Sequence, residues 1–288
     1  MGARFDTVTF LSDYGTQDEF VGVVKSVIRS IAPHVTVVDL THEIPAHDVR
    51  AGGLTLGRAA QYLCPGVVLA VVDPGVGTER RGVAIEVGGG QSYLVGPDNG
   101  LLAGAVAMSG GATAAVALTN PDYQLPAPGP TFAGRDVFAP AAAHLCAGVP
   151  LAGLGDAIDP LSLLPGLVPL TREEEGTLVG EVLWVDRFGN CQLNVDPDDI
   201  AAFGPRVQLR WGDDVRTAEV ATTYQGIPPG QVGLVVDSYG MLSVCLGRRP
   251  AASELRMPVG TEVTLAPPSD DTPDRGSTPV TLSTRSEP

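Results

Sequence analysis

The feature that most constrains this chain is Val67–Val72, six consecutive aliphatic residues that run straight into Asp73-Pro74-Gly75. A short unbroken apolar run closed by a Pro-Gly turn reads as a buried strand. It ends by delivering one carboxylate, Asp73, into a glycine-relaxed loop. The loop continues through Gly75, Val76, Gly77 and Thr78 to Arg80 and Arg81. A carboxylate at a strand end followed by a guanidinium across a pliable loop can hold a charged pair beside a ligand. The stretch therefore marks a site without naming a reaction.

The flanking pattern predicts an α/β fold for the first part of the chain. Thr7–Leu11 reads as a first strand, and the turn-rich Ser12-Asp13-Tyr14-Gly15-Thr16 follows it. Phe20, Val23, Val24, Val27, Ile28 and Ile31 then recur at helical spacing behind Asp18-Glu19, an acidic pair suited to a helix start. Asp13 falls where open α/β sheets bind ligands, although an Asx turn would serve equally well at that position. Val35–Leu40 reads as a second strand and Asp48–Tyr62 as a helix weakened by Gly52-Gly53. Between them lie His42, Glu43 and His47. Their spacing does not match a helical zinc motif, and Pro45 breaks any helix between the histidines, so they read as loop residues. Val83–Val87 and Ser92–Val95 read as a hairpin around Gly88-Gly89-Gly90, Leu101–Met108 as the start of a helix, and Thr113–Leu118 as a strand. Pro121, Pro126, Pro128 and Pro130 predict an extended connection, and Val137–Ala147 an alanine-rich helix.

The pattern changes near Asp156–Glu175, where Pro165 and Pro169 interrupt an apolar run and Arg172–Gly176 is charged. Beyond it Leu178–Trp184, Val207–Trp211, Val215–Val220, Val232–Val236, Leu242–Leu246 and Glu262–Leu265 read as short strands separated by Gly, Asp and Pro turns. That describes a smaller all-β domain, a barrel or a sandwich. The expected division is an α/β N-terminal domain over 1–170, a barrel-like C-terminal domain over 171–267 and a disordered tail over 268–288.

Composition excludes several function classes. A net charge of −15 repels phosphate backbones and anionic membranes, so no nucleic-acid partner is expected. No apolar run is long enough to span a bilayer, and the first residues lack the basic and apolar segments of a signal peptide. Cys64, Cys146, Cys191 and Cys245 show no CxxC spacing, which argues against a structural zinc and for buried reduced thiols in a cytoplasmic protein. There is no Walker loop, no GxGxxG after a strand and no GxSxG elbow.

Five polar segments remain: Ser12-Asp13-Tyr14-Gly15, Asp73 to Arg80, Gly96-Pro97-Asp98-Asn99-Gly100, Thr131-Phe132-Ala133-Gly134-Arg135-Asp136, and Asp186-Arg187-Phe188-Gly189-Asn190. In this order and spacing they closely resemble the S-adenosyl-L-methionine hydroxide adenosyltransferases, relatives of the fluorinase and chlorinase that make 5′-halo-5′-deoxyadenosines. The resemblance runs from about residue 7 to residue 265. It implies a homotrimer whose substrate sits between one subunit's N-terminal domain and its neighbour's C-terminal domain. It also implies S-adenosyl-L-methionine as substrate, adenosine and L-methionine as products, and neither cofactor nor metal. By position, Asp13 would hold the ribose hydroxyls. Asp18 and Asp186 would face the methionine ammonium, with Asn190, Ser238 and Phe188 beside them. His47 would lie over the ribose, where the halogenases carry tryptophan, and Phe132 and Gly134 would line the substrate. Arg249, Pro250 and Ala251 would follow the adenine edge.

Asp73 separates the branches. The halogenases resemble this chain but carry tyrosine there; the water-using members carry aspartate with arginine seven residues on, as Asp73 and Arg80 are here. A carboxylate can orient water and accept its proton for in-line attack at C5′, and it repels a halide. A 5′-halogenase is thereby disfavoured. The third catalytic position departs from the pattern, since Ala133 stands where the water-using members have histidine. Either Asp73 and Arg80 orient the water alone or the protein is a weakened form, and a non-catalytic S-adenosyl-L-methionine or adenosine binder stands as the alternative of a different class.

Overall fold

The apolar run ahead of Asp73 is a strand buried on both faces. In the computed structural model, which describes residues 5–268, β3 (Gly66–Val71) has every residue buried. Val67, Leu69 and Val71 face one apolar cluster, and Val68, Ala70 and Val72 face another. Each fully buried aliphatic side chain contributes about 1.5–3 kcal/mol, so these residues have no stable place at a surface.

The chain divides into two compact units, Met1–Val168 and Pro169–Pro288. The first is α/β. Its earlier elements are β1 (Thr7–Ser12), α1 (Phe20–Ile31), β2 (Thr36–Thr41) and α2 (Val49–Ala59). After β3 come β4 (Gly82–Val87), β5 (Ser92–Pro97), α3 (Ala103–Met108), β6 (Ala112–Ala117), α4 (Ala139–Cys146) and β7 (Asp156–Ile158). The sheet order is β2-β1-β3-β5-β4-β6-β7. β2, β1, β3 and β5 run parallel, and β4 lies antiparallel between β5 and β6. α1 and α4 supply residues to the cluster on one face, α2 and α3 to the cluster on the other. The chain steps from β1 outward to β2 and then back across to β3. This reversal leaves a crevice at the carboxyl ends of β1 and β3, where the two helices diverge to opposite faces.

Local chemistry explains the element ends. Asp48 caps α2 by accepting the Ala51 N–H at 2.8 Å. α4 is preceded by a π-helical turn, Gly134–Phe138, so the helix predicted from Val137 starts later and enters through an irregular turn. The prolines after 121 do not give a wholly extended connection, because Pro121–Tyr123 forms a 3-10 turn capped by Asn120.

The second unit is an all-β barrel. Its strands are β8 (Arg172–Glu174), β9 (Thr177–Val185), β10 (Cys191–Leu193), β11 (Arg206–Trp211), β12 (Asp214–Ala221), β13 (Val232–Val236), β14 (Leu242–Leu246) and β15 (Glu262–Ala266). A short helix, α5 (Ala251–Glu254), follows β14. The order β10-β14-β13-β12-β11-β15-β9 is closed by the β9–β10 pairing, and β8 extends the sheet beyond β9. Val182, Leu193, Val207, Leu209, Leu234, Val244 and Leu265 fill the barrel.

Three short strands, β7, β8 and β10, were not anticipated. The charged stretch Arg172–Gly176 forms a hairpin arm, with Arg172 paired to Glu174 and Glu262. One thiol also departs from expectation: Cys64 is exposed, while Cys146, Cys191 and Cys245 are buried. The segment 269–288, read from sequence as a tail, lies outside the described residues.

Candidate active site

Adjacent parallel strands bring two carboxylates together. Ser12 of β1 stands beside Val71 of β3, so Asp13 and Asp73 leave the sheet side by side. Asp73 accepts Arg80 Nε at 2.9 Å on one oxygen and Arg80 Nη2 at 2.5 Å on the other, a bidentate pair. Both side chains are largely shielded, with 6% of Asp73 and 14% of Arg80 exposed. The remaining Arg80 nitrogen donates to the Arg81 carbonyl, and the guanidinium lies over the Phe138 ring. Arg80 therefore has no freedom to follow a substrate. Burial pushes the Asp73 carboxyl above the usual carboxylate range, with the Asp13 charge adding to it, against the pull of Arg80.

The next residue along, Arg81, grips a different loop. It donates through Nε and Nη2 to Asp98 at 3.0 and 2.5 Å, and Asp98 also accepts the Leu164 N–H. Asn99 donates to the Val72 carbonyl. The Gly96–Gly100 segment is thereby tied to the end of β3.

Asp13 accepts the His47 N–H at 2.9 Å, and His47 holds a left-handed conformation with φ +67°. The loop that carries His47 is fixed through His42. Its Nδ1 pairs with Ser12 Oγ at 2.8 Å and its Nε2 with Asp39 at 3.1 Å, while Lys25 donates to the same carboxylate. With both ring nitrogens occupied, His42 is a structural link. His47 and Asp18 are exposed, and Asp18 sits just before α1.

Phe132, Ala133 and Gly134 lead into the π-helical turn. The Phe132 ring packs edge-on against Tyr14 and Phe20. A methyl built on Gly134 would lie 2.2 Å from the Tyr14 hydroxyl, so only glycine fits there. The Ala133 methyl packs toward the apolar cluster beneath. Tyr14 was not singled out from sequence; burial pushes its phenol well above the ordinary range, and the charges of Asp13 and Asp73 add to it.

In the second unit, the β9–β10 turn is organised by Asp186. One carboxylate oxygen accepts the N–H groups of Phe188 and Asn190, and the other accepts the Asn190 side-chain amide at 2.8 Å. Phe188 projects outward, 78% exposed. Gly189 adopts φ +84° and abuts Pro250, and Ala252 donates to its carbonyl, so Arg249, Pro250 and Ala251 pack beside this turn. Arg249 pairs with Glu254, Ala251 is buried and Ser238 is exposed. Ser238 belongs to a second turn of the same design, in which Asp237 accepts the N–H groups of Tyr239 and Met241. Asp-x-aromatic-Gly recurs at 186–189 and 237–240, a repeat that could have drawn attention to Asp237. Burial pushes the Tyr224 phenol up, and the charges of Asp186 and Asp237 add to it.

An ion pair and a second carboxylate at the mouth of a sheet crevice define an α/β small-molecule site. Comparison with known proteins then places the chain. The family model for the SAM hydroxide adenosyltransferase N-terminal domain matches residues 8–155, and that for the C-terminal domain matches residues 180–264. The chain belongs to the SAM hydroxide adenosyltransferase family. It is 43% identical to a protein of Salinispora arenicola named (R)-S-adenosyl-L-methionine hydrolase, over 89% of this chain and 96% of that one. A Thermus thermophilus protein of the same name is 41% identical, over 90% and 98%. A fluorinase of an Actinoplanes species is more distant at 30%, over 90% and 96%. Among solved structures, an uncharacterized conserved protein from Thermotoga maritima superposes with a TM-score of 0.83 at 33% identity, covering 90% of this chain and 99% of that one.

Proposed function

We propose that this protein hydrolyses S-adenosyl-L-methionine, in the (R) configuration at sulfur, to adenosine and L-methionine. The observation that carries the reading is the bidentate Asp73–Arg80 pair standing beside Asp13 at the carboxyl end of β3. Asp73 acts as the general base. Arg80 fixes the orientation of its carboxylate, so that one direction remains for water. The water oxygen bonds to C5′ as the C5′–S pair returns to sulfur. The water's proton passes to Asp73 and then to solvent. The sulfonium is already a good leaving group, so no acid is needed on the methionine side, and positioning supplies much of the rate.

Asp13, with two acceptor oxygens, holds the ribose diol, and His47 lies over the sugar. Phe132 and Gly134 line the nucleoside. Asp18, Asp186, Asn190 and Ser238 receive the amino-acid end, with Phe188 packed against it, while Arg249 and Ala251 follow the adenine. The working form in this proposal is a cytoplasmic homotrimer with its sites between subunits, without cofactor. Among the described residues no helix is long and apolar enough to cross a membrane.

Incubation with the separated (R) and (S) epimers, with and without chloride, tests the reading. Adenosine and methionine in equal amounts, independent of chloride and faster from the (R) epimer, are expected. A chloride-dependent 5′-chloro-5′-deoxyadenosine would point to the halogenase reaction instead. Binding without product would leave a nucleoside-binding protein.

A further inference from the structure

The Tyr14 side chain is held at every point except its tip. Its ring is packed against Phe10, Phe20 and Phe132, with centroids at 6.4, 5.6 and 5.7 Å. Its backbone N–H donates to Ser12 Oγ at 3.3 Å, and Ser12 is in turn held by the His42–Asp39–Lys25 chain. The hydroxyl rests against Gly134, which offers no side chain, and the neighbouring Ala133 offers a methyl with neither donor nor acceptor. Among the described residues the hydroxyl makes no hydrogen bond. The Tyr14 oxygen is not sealed away as a fully buried polar atom, so it is open to a water or a ligand. The two carboxylates that raise its proton affinity are those of Asp13 and Asp73.

We propose that the Tyr14 hydroxyl is a catalytic group that holds the attacking water against Asp73. This rests on the hydrolase reading. The water donates one hydrogen to Asp73 and the other to the phenol oxygen, which leaves a lone pair directed at C5′. The phenol's own proton goes to an oxygen of the substrate. Tyr14 gains and loses no proton over the cycle; Asp73 alone accepts one. Burial, with the charges of Asp13 and Asp73 adding to it, pushes the phenol well above its ordinary range, so it stays protonated throughout.

Tyr14→Phe keeps the ring packing and deletes only the oxygen. The expected result is a fall in kcat on the order of tenfold to a hundredfold, with KM within about threefold of the wild type. Adenosine affinity by calorimetry should stay within about threefold of the wild type, the loss of one neutral hydrogen bond, and the melting temperature should hold, which shows that the variant folds and binds. Tyr14→Leu, with the melting temperature as a control on folding, should lose a similar factor in kcat. Equal kcat in wild type and Tyr14→Phe overturns the proposal. A rise in KM with kcat unchanged also overturns it, since the hydroxyl would then serve binding alone. A wild-type protein that makes no adenosine defeats the hydrolase reading itself, and the two failures are thereby distinct.

Discussion

The hydroxyl oxygen of Tyr14 and the α-carbon of Gly134 are in such close contact that a methyl on the glycine would sit 2.2 Å from the oxygen. A β1-loop residue and the entry to α4 are thus fitted to one another across the mouth of the sheet. Gly134→Ala must displace the phenol or the turn, and overpacking of this kind costs about 1–3 kcal/mol. Thermal unfolding should show the loss. In the double variant with Tyr14→Phe the penalty should shrink, because the atom in the way is gone. Additive penalties in that cycle would show that the contact is not what excludes alanine.

Asp73→Asn should lower turnover by roughly a hundredfold or more, the usual contribution of a positioned base. Adenosine binding should change little, since the carboxylate is committed to the attacking water and Arg80. Chromatography of adenosine measures the first quantity and calorimetry the second. Turnover within a few-fold of wild type would remove Asp73 from the mechanism.

The pH profile should reflect the raised Asp73 carboxyl. The base works only when ionised, so kcat/KM should fall on acidification through a limb above the ordinary carboxylate range of about 4. Stability moves the other way through this group. The folded state holds the proton more tightly than the unfolded chain, so acidification through the same window favours folding at this residue. An activity limb in the ordinary carboxylate range would contradict the shift.

Asp13→Ala removes the acceptor of the His47 N–H as well as the proposed ribose contact. Hydrogen bonds to a charged group contribute about 1.5–3 kcal/mol, so adenosine affinity should weaken on the order of tenfold to a hundredfold. Unchanged affinity in calorimetry would place the ribose elsewhere.

Ala133→His should raise adenosine production, because it restores a polar side chain next to Gly134 and the Tyr14 hydroxyl. No gain would show that Asp73, Arg80 and their neighbours already hold the water.

Much of this was legible in the chain. Val67–Val72 announced a buried strand because six aliphatics admit no amphipathic alternative, and the Pro-Gly turn fixed where Asp73 emerges. The barrel strands of five or more residues were readable by the same alternation and turn chemistry. Strands of three residues, such as Cys191–Leu193, carry too few side chains to show a period, and their pairing is decided by distant partners. The need for glycine at the start of the π-helical turn escaped for a related reason: Gly134 answers to the bulk of Tyr14, more than a hundred residues away. In the sequence Tyr14 is one residue of a turn-rich segment. Only the three-dimensional neighbourhood shows its oxygen resting against Gly134 and, among the described residues, without a hydrogen bond.

Arg80 and Arg81 are consecutive, yet they reach carboxylates on different loops, Asp73 and Asp98. One peptide step therefore sets the spacing between the two loops. The segment leading into β4 should be constrained in length more strictly than in composition. Inserting or deleting one residue between Thr78 and Gly82 would shift both guanidinium groups out of register at once, whereas exchanging Glu79 for another exposed residue would disturb neither. The length of this segment is thereby fixed by two carboxylates at once.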